Sequence, residues 1–278
     1  MGNVSYKRWV MLVLILVLAG LGTVVGYKLF IEEEVQPEEA AYKADEKPMV
    51  GFSVDGMVIE RWQKDINILK AKAEELGFRV EVTNAYENAD KQSEQIRSLV
   101  DEGAVAIFIL PYDKDKLVAD VEYAKDKGVI VISYDRLIAD APVDAYVSFD
   151  NVKVGEYMAE ALVEEMPAGN YVIINGSPLD NNAFMFNQGY YNVLEPYIES
   201  GAVTIAGEVW AENWREEYSV DEVRKLLDEG VVIDAIIGAN DRLAEGAIGV
   251  LSEYGLVGEV RVVGHDADIS ACQNIVEC

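Results

Sequence analysis

The chain alternates short apolar runs with helical patterns, and this alternation restricts the folds that are open to it. Each run is rich in valine and isoleucine, and the segment after it repeats apolar residues at helical spacing, as at Trp62, Ile66, Leu69 and Ala73. Such alternation predicts parallel sheets that helices cover on both faces. The predicted strands are 49–54, 78–83, 104–110, 129–134, 145–149, 170–176, 203–209, 232–239 and 260–265.

One stretch near the middle divides this pattern into two halves. Residues 148–162, SFDNVKVGEYMAEAL, hold a strand end, a loop and a helix start. The halves on either side are about equal and near the usual domain length. We therefore predict two doubly wound α/β lobes joined by a hinge, over residues 49–150 and 151–278, rather than one wide sheet.

The N-terminal region has the pattern of a membrane segment. Residues 9–27 are 19 consecutive residues without a charge, enough to cross a bilayer as a helix. Lys7 and Arg8 precede them, which predicts that the bulk of the chain lies outside the cytoplasmic membrane. We predict a single-span anchor over residues 1–31 and an acidic, proline-containing tether over 32–48. The alternative is a signal peptide cleaved at LAG, residues 18–20.

Charge and motif content exclude several function classes. Fifty acidic against 23 basic residues give a net charge of −27, which repels phosphate backbones and argues against nucleic-acid binding. The sequence contains no GxxxxGK[ST], GxGxxG, GxSxG or HExxH motif. Because it holds one histidine, His265, and only the cysteines Cys272 and Cys278, we predict no metal site, cofactor or disulfide framework.

Polar side chains follow nearly every predicted strand. Asp135 and Arg136 follow the fourth strand, Asn240 the eighth and Asp266 the ninth. In doubly wound sheets, ligands bind outside the carboxyl ends of the strands. Carboxylates accept hydrogen bonds, guanidinium groups donate them and amides do both, so this set suits a ligand rich in hydroxyl groups.

Two tryptophans fit the same interpretation, since a flat ring can cover the C–H face of a sugar. Trp62 also lies on an apolar helical stripe, so packing in a core is equally open for it. Trp214 stands among Glu212, Asn213 and Arg215 and is therefore predicted to lie outside a core, in the site.

From about Met49 to Glu277 the chain resembles the D-xylose-binding proteins of the type I periplasmic sugar-binding fold. The resemblance rests on ERWQKD (60–65), SYDRLI (133–138), YVSFDN (146–151), GSPLDNNA (176–183), the two-tryptophan segment that ends at Trp214, GAND (238–241) and GHDAD (264–268). It implies sugar contacts from Arg61, Trp62, Asp135, Arg136, Asn182, Trp214, Asn240 and Asp266. It also implies that Asp135 and Arg136 act from the first lobe.

The chain departs from this family's pattern in three places. His265 stands where the family commonly has glutamine, and FSVDG at 52–56 lacks the family's usual pair of acids. Family members also continue past the position of Cys278, through a strand with a sugar-contacting lysine and a further helix. The resemblance therefore implies altered contacts beside Asp266 and weaker binding by a chain that ends at residue 278.

Together these features predict a non-catalytic, extracytoplasmic receptor for a pentose, D-xylose first among them, whose lobes close around the sugar. Its membrane partner is predicted to be an ABC permease or a sensor histidine kinase, and the sequence leaves both open. A DNA-binding repressor of the same fold needs a basic headpiece, which residues 1–48 do not provide. An extracellular sugar-converting enzyme is the remaining alternative.

Overall fold

The computed structural model of the chain describes residues 47–57 and 60–277. This part forms two compact units, and each contains its own parallel sheet. The first unit comprises the described residues up to Tyr134 together with Ile138–Val147, and the second comprises Asp135–Leu137 and the described residues from Ser148 onward. Two parallel sheets, rather than one wide sheet, are confirmed. The lobe boundary at residue 150 and the hinge stay predictions.

The predicted membrane anchor and most of the tether fall on residues 1–46, outside the described residues. Among the helices that the structure does describe, none is both long enough and apolar enough to cross a bilayer.

The first unit alternates strands and helices around a five-stranded sheet. Its elements are β1 Met49–Val54, α1 Glu60–Glu75, β2 Arg79–Asn84, α2 Ala89–Asp101, β3 Ala104–Ile109, α3 Val118–Asp126, β4 Ile130–Tyr134 and β5 Ala145–Val147. The strands lie in the order β2-β1-β3-β4-β5, and every pair is parallel. All six residues of β1 are buried, because helices cover both faces of the sheet at its centre.

The second unit repeats this plan around a four-stranded sheet. Its elements are α4 Asn151–Glu165, β6 Gly169–Asn175, α5 Asn181–Glu199, β7 Val203–Trp210, a 3-10 turn Glu212–Trp214, α6 Glu217–Asp228, β8 Ala235–Gly238, α7 Asp241–Glu253, β9 Arg261–Val263 and α8 Ile269–Glu277. The parallel order is β7-β6-β8-β9. The strand order places β6 and β8 at the centre, where they are flanked on both sides.

All nine predicted strands are present, and their ends differ from the predicted ends by up to three residues. The largest shift is at the eighth strand, predicted from residue 232 but beginning at Ala235. Asp234 precedes the ladder because its Oδ2 accepts a hydrogen bond from the backbone N–H of Asn170 at 2.7 Å. The carboxylate of Asp234 thus replaces a backbone carbonyl as the acceptor for this N–H group.

Two glycines let α4 and α5 approach each other at backbone distance. A Cβ on Gly155 would lie 2.2 Å from the carbonyl oxygen of Phe186, and one on Gly189 would lie 2.2 Å from that of Val152. Neither obstacle is a flexible side chain, so only glycine fits at these two positions. The close contact matters for the site because the first turns of α4 and α5 contain the polar residues Asn151 and Asn182, described below.

We predict that Gly155→Ala and Gly189→Ala each destabilise the protein by about 1–3 kcal/mol, since an added methyl group must push one helix away from the other. Gly249→Ala, in α7, is the matched control because a Cβ added there would meet no heavy atom within 4 Å. That control is expected to be neutral or stabilising. Urea denaturation of the three variants measures the difference, and equal stability of all three contradicts the close helix contact.

Candidate functional site

The carboxyl ends of the four strands of the second sheet lie at one edge, because parallel pairing keeps their registers aligned. Asn175 pairs with Trp210, Ile174 with Gly238, and Ile237 with Val263. The residues that follow these strands are therefore neighbours at the same edge. We call this edge, with the segments 175–182, 210–215, 238–241 and 264–268, the carboxyl edge of the second unit.

Asp135 and Arg136 are grouped with this second unit, although they follow β4 of the first sheet. The amide nitrogen of Asn182 donates to the carbonyl oxygen of Asp135 at 3.2 Å and to its Oδ1 at 3.3 Å. Arg136 forms an ion pair with Asp180, whose Oδ2 lies 2.7 Å from the guanidinium Nε. The structure thus joins three of the predicted site residues, Asp135, Arg136 and Asn182, in one buried network.

Asn182 also has a partner on its amide oxygen. The side-chain nitrogen of Asn151, the first residue of α4, donates to Asn182 Oδ1 at 3.0 Å. Asn182 therefore fixes the backbone of Asp135 on one side and is itself held on the other. This matters because Asp135 has a φ of 61°, a left-handed conformation that non-glycine residues adopt at a cost.

Trp214 corrects the sequence prediction, which placed it outside the core. Its side chain is 9% exposed and packs within the core cluster of the second unit. The six-membered ring lies against Gly176, where a Cβ would come within 2.2 Å of the ring. Neighbouring charges in the sequence misled the prediction, because the turn at Asn213 and Trp214, with φ values of 54° and 57°, directs the indole inward.

The indole nitrogen of Trp214 is buried without a hydrogen-bond partner among the described residues. A buried N–H donor that lacks a partner costs free energy, so such donors are rare, and each calls for an explanation such as an acceptor supplied from outside the protein. Burial in the core and a role in the site are therefore compatible for Trp214.

Asn240 is buried at the end of β8 and begins α7 as its N-cap. Its Oδ1 accepts from the backbone N–H of Leu243 at 3.0 Å, so its amide nitrogen is the group left to donate to a ligand. The adjacent Asp241 organises the next loop. Its backbone N–H donates to the carbonyl of His265 at 2.8 Å, and its Oδ2 accepts from the N–H of Asp268 at 2.9 Å.

Asp266 lies on the loop that Asp241 holds. Its φ is 112°, and its Oδ1 lies 3.6 Å from Nε2 of His265. The imidazole of His265 in turn contacts the ring of Phe186 edge-on, with 4.8 Å between the ring centroids, and Phe186 contacts Trp214 at 6.5 Å. The carboxyl edge of the second unit therefore carries Trp214, Asn240 and Asp266 together.

Arg61 and Trp62 lie in the first unit, at the start of α1. Trp62 is buried in the core cluster that contains Phe52 and Phe108, and the guanidinium of Arg61 lies 4.4 Å from the centroid of its ring. Arg61 Nε is also 3.4 Å from Oδ2 of Asp65. The structure thus places Trp62 in a core, which is one of the two interpretations from the sequence. Its ring also has the cation of Arg61 over it.

Sequence reasoning missed two buried residues that organise the strand ends. Gln92 in α2 donates to Ser53 Oγ and to the carbonyl of Leu110, and it accepts from the N–H of Tyr112, which ties the ends of β1 and β3 together. Asp180 pairs with Arg136 and caps α5. For Asp180 a signal was present, since an aspartate directly before a helical pattern is typical of an N-cap. Gln92 carries no such signal.

No group of three or more potential ligand residues is placed to hold a metal ion within residues 47–57 and 60–277. The chemistry of this edge, as described, is that of hydrogen-bond donors and acceptors beside aromatic rings. Such a surface recognises a neutral polar molecule by direct hydrogen bonds and ring contacts.

Comparison with known proteins places the chain in a family. The model for the periplasmic binding protein domain matches residues 50–277. The chain belongs to this family. It is 42% identical over 227 residues to the D-xylose-binding periplasmic protein of Escherichia coli (strain K12), a match that covers 81% of this chain and 69% of that protein.

Solved structures of the family agree with the fold. An ABC transporter solute-binding protein from Clostridium phytofermentans, solved with bound β-D-glucose, superimposes with a TM-score of 0.76 at 27% identity, over 82% of this chain and 76% of that one. The fructose-binding periplasmic domain of a hybrid two-component system gives a TM-score of 0.73 at 25% identity, over 80% and 73% of the two chains. The type I periplasmic-binding-protein fold, predicted from the sequence, is confirmed.

Burial raises the pKa of Asp241 above its ordinary value of 3.8, and the neighbouring carboxylates of Asp266 and Asp268 act in the same direction. A carboxyl group whose pKa is raised in the folded state favours folding below its unfolded pKa. That contribution is lost as the pH rises through the raised folded pKa. We therefore predict that Asp241→Asn gains stability relative to the wild type as the pH increases from about 3.5 to about 7.

Thermal denaturation at several pH values measures this difference. Asp126→Asn, at an exposed aspartate, controls for the loss of one charge from a protein of net charge −27. A difference between Asp241→Asn and the wild type that stays constant with pH, or changes as it does for the control, contradicts the assignment.

Proposed function

We propose that the protein is a non-catalytic, extracytoplasmic receptor for a monosaccharide, with D-xylose as the first candidate. The observation that carries the proposal is the 42% identity to a D-xylose-binding protein over most of the chain. The carboxyl edge of the second unit supports it, because carboxylate and amide groups lie there beside an indole whose N–H lacks a described partner, and the guanidinium of Arg136 pairs with Asp180 of this edge.

We propose the eight residues of the sequence analysis as the sugar-binding set, with roles that the contacts refine. Asp135, Arg136, Asn240 and Asp266 supply acceptors and donors for hydroxyl groups, and Trp214 supplies its N–H and one ring edge. Asn182 has its amide engaged by Asp135 and Asn151, so its role includes holding Asp135. Arg61 and Trp62 contribute from the first unit.

A sugar-converting enzyme on the same fold was the alternative. The relatives named above are described as binding proteins, and none of them as an enzyme. The alternative therefore has no support from them. Incubation of the protein with D-xylose, followed by product analysis, is expected to return the sugar unchanged.

We propose that the protein acts with a membrane partner, either an ABC permease or a sensor kinase. Relatives of both kinds exist, since one matched structure is an ABC transporter component and another belongs to a two-component system. An N-terminal anchor favours a fixed partner, because tethering raises the local concentration of the receptor beside it.

Isothermal titration of the purified chain against a panel of pentoses and hexoses tests the proposed ligand. We predict that D-xylose binds most tightly of the panel. We also predict that Asp135→Asn lowers the affinity for D-xylose tenfold or more. The substitution replaces one acceptor oxygen by an NH2 group, and a buried donor left without its acceptor costs on the order of 1–3 kcal/mol. Asparagine keeps the left-handed backbone accessible, so the melting temperature is expected to change little.

Asp126→Ala, at an exposed position in α3, is the control and is expected to bind like the wild type. A wild-type protein that binds none of the sugars contradicts the proposed function. Equal loss of stability and affinity in Asp135→Asn assigns this residue to the fold rather than to the ligand.

We further propose that residues 9–27 anchor the protein in the membrane. Fractionation of cells is expected to give a pelleted protein that resists carbonate extraction and whose bulk is digested by protease from outside. Leu16→Arg should weaken the anchoring, because a charge at the centre of a bilayer-spanning helix costs roughly 2.5–3.5 kcal/mol. Recovery of a shortened soluble form that begins after residue 20 would establish cleavage instead.

A further inference from the structure

We propose that Asp180 is a positioning residue of the sugar site, which sets the geometry of Arg136 and of the first turn of α5 at Asn182 through its two carboxylate oxygens. The inference rests on the proposed function, because it assigns a cause to the arrangement of two residues proposed to bind the sugar. Sequence patterns and the family resemblance assign no such role to Asp180.

The two oxygens of Asp180 have different partners. Oδ2 lies 2.7 Å from Nε of Arg136, and both side chains of this ion pair are almost completely buried, with 3% and 6% of their areas exposed. Oδ1 accepts from the backbone N–H of Asn182 at 2.9 Å and so caps the first turn of α5. One carboxylate therefore links the segment Asp135–Leu137 to the first turn of a helix.

A buried guanidinium needs an opposite charge, since its desolvation is costly without one. An Nε contact also fixes the plane of the guanidinium, because its five N–H groups point in a rigid fork. The ion pair with Asp180 therefore holds the guanidinium of Arg136 in one orientation. A binding group that is held in place before the ligand arrives lowers the ordering cost of binding.

The helix cap acts on the other side of the same network. Asp180 fixes the backbone at Asn182, and the side chain of Asn182 donates to the carbonyl of Asp135, which is held in its left-handed conformation. Asp135 and Arg136 are therefore constrained from two directions by one acid. Loss of the charge at Asp180 is expected to loosen Arg136 first, because asparagine can still cap the helix.

A double-mutant cycle on D-xylose affinity tests this role. The four proteins are the wild-type chain, Asp180→Asn, Arg136→Met and the double variant, each measured by isothermal titration. We expect Asp180→Asn to weaken binding about tenfold, and Arg136→Met to weaken it at least as much. We expect the double variant to bind no more weakly than Arg136→Met alone, because Asp180 acts on the sugar through Arg136.

Asp150→Asn is the matched control, since Asp150 is an exposed N-cap whose side chain accepts from the N–H of Lys153 at 3.1 Å. It makes the same chemical change at a helix start and is expected to leave the affinity unchanged. If Asp180→Asn fails to fold, the comparison of Arg136→Met with the double variant decides alone, since the double variant removes both buried charges and is expected to fold.

Wild-type affinity in Asp180→Asn overturns the inference. So does an additive cycle, in which the double variant loses affinity by the product of the two single losses. In either case the wild type still binds sugar, and the proposed function stands. A wild type that binds no sugar of the panel overturns both.

Discussion

Burial of parallel strands on both faces is the constraint on which the rest of the structure depends. In the centre of each sheet, helices cover both faces, so β1 has every residue buried and β6 has its last five buried. Polar side chains are few along such strands, and they concentrate where the strands end. The parallel register then gathers these ends at one edge. The same packing that excludes water from the core thus brings Asn240, Asp241 and Asp266 together.

The segments that follow the strands also hold residues in unfavourable backbone conformations. Asp135, Trp214 and Asp266 all have φ in the left-handed region, at about 1–3 kcal/mol each. Hydrogen bonds and packing from neighbouring elements hold these segments. Asn182 donates to the carbonyl of Asp135, and Asp241 accepts from the N–H of Asp268, two residues beyond Asp266. Trp214 is held by its packing against Gly176 and Phe186. Strain of this kind is characteristic of residues that bind ligands.

The sequence pattern predicted the strands well, because apolar runs indicate buried strands and glycines mark the residues at which helices end. Gly77 and Gly103, for example, end helical patterns and have φ values of 85° and 90°. Side-chain direction was harder to predict. Trp214 stands among charged neighbours yet lies in the core, because one left-handed turn reverses the direction that the sequence suggests. Asp180 pairs with Arg136, and Gln92 bonds to Ser53 and Leu110, all far apart in the chain, and no local pattern reports contacts at that distance.

The central claim is that the carboxyl edge of the second unit binds a monosaccharide. The indole N–H of Trp214 tests it most directly, because it is a buried donor without a described partner and gives its own signal in a ¹H–¹⁵N correlation spectrum. The chain has four tryptophans, and Trp214→Phe identifies the signal. Titration with D-xylose is predicted to move the Trp214 signal to a new, saturating position, while the signal of Trp9, in the proposed anchor, stays in place. A Trp214 signal that does not move at a saturating sugar concentration would contradict the account.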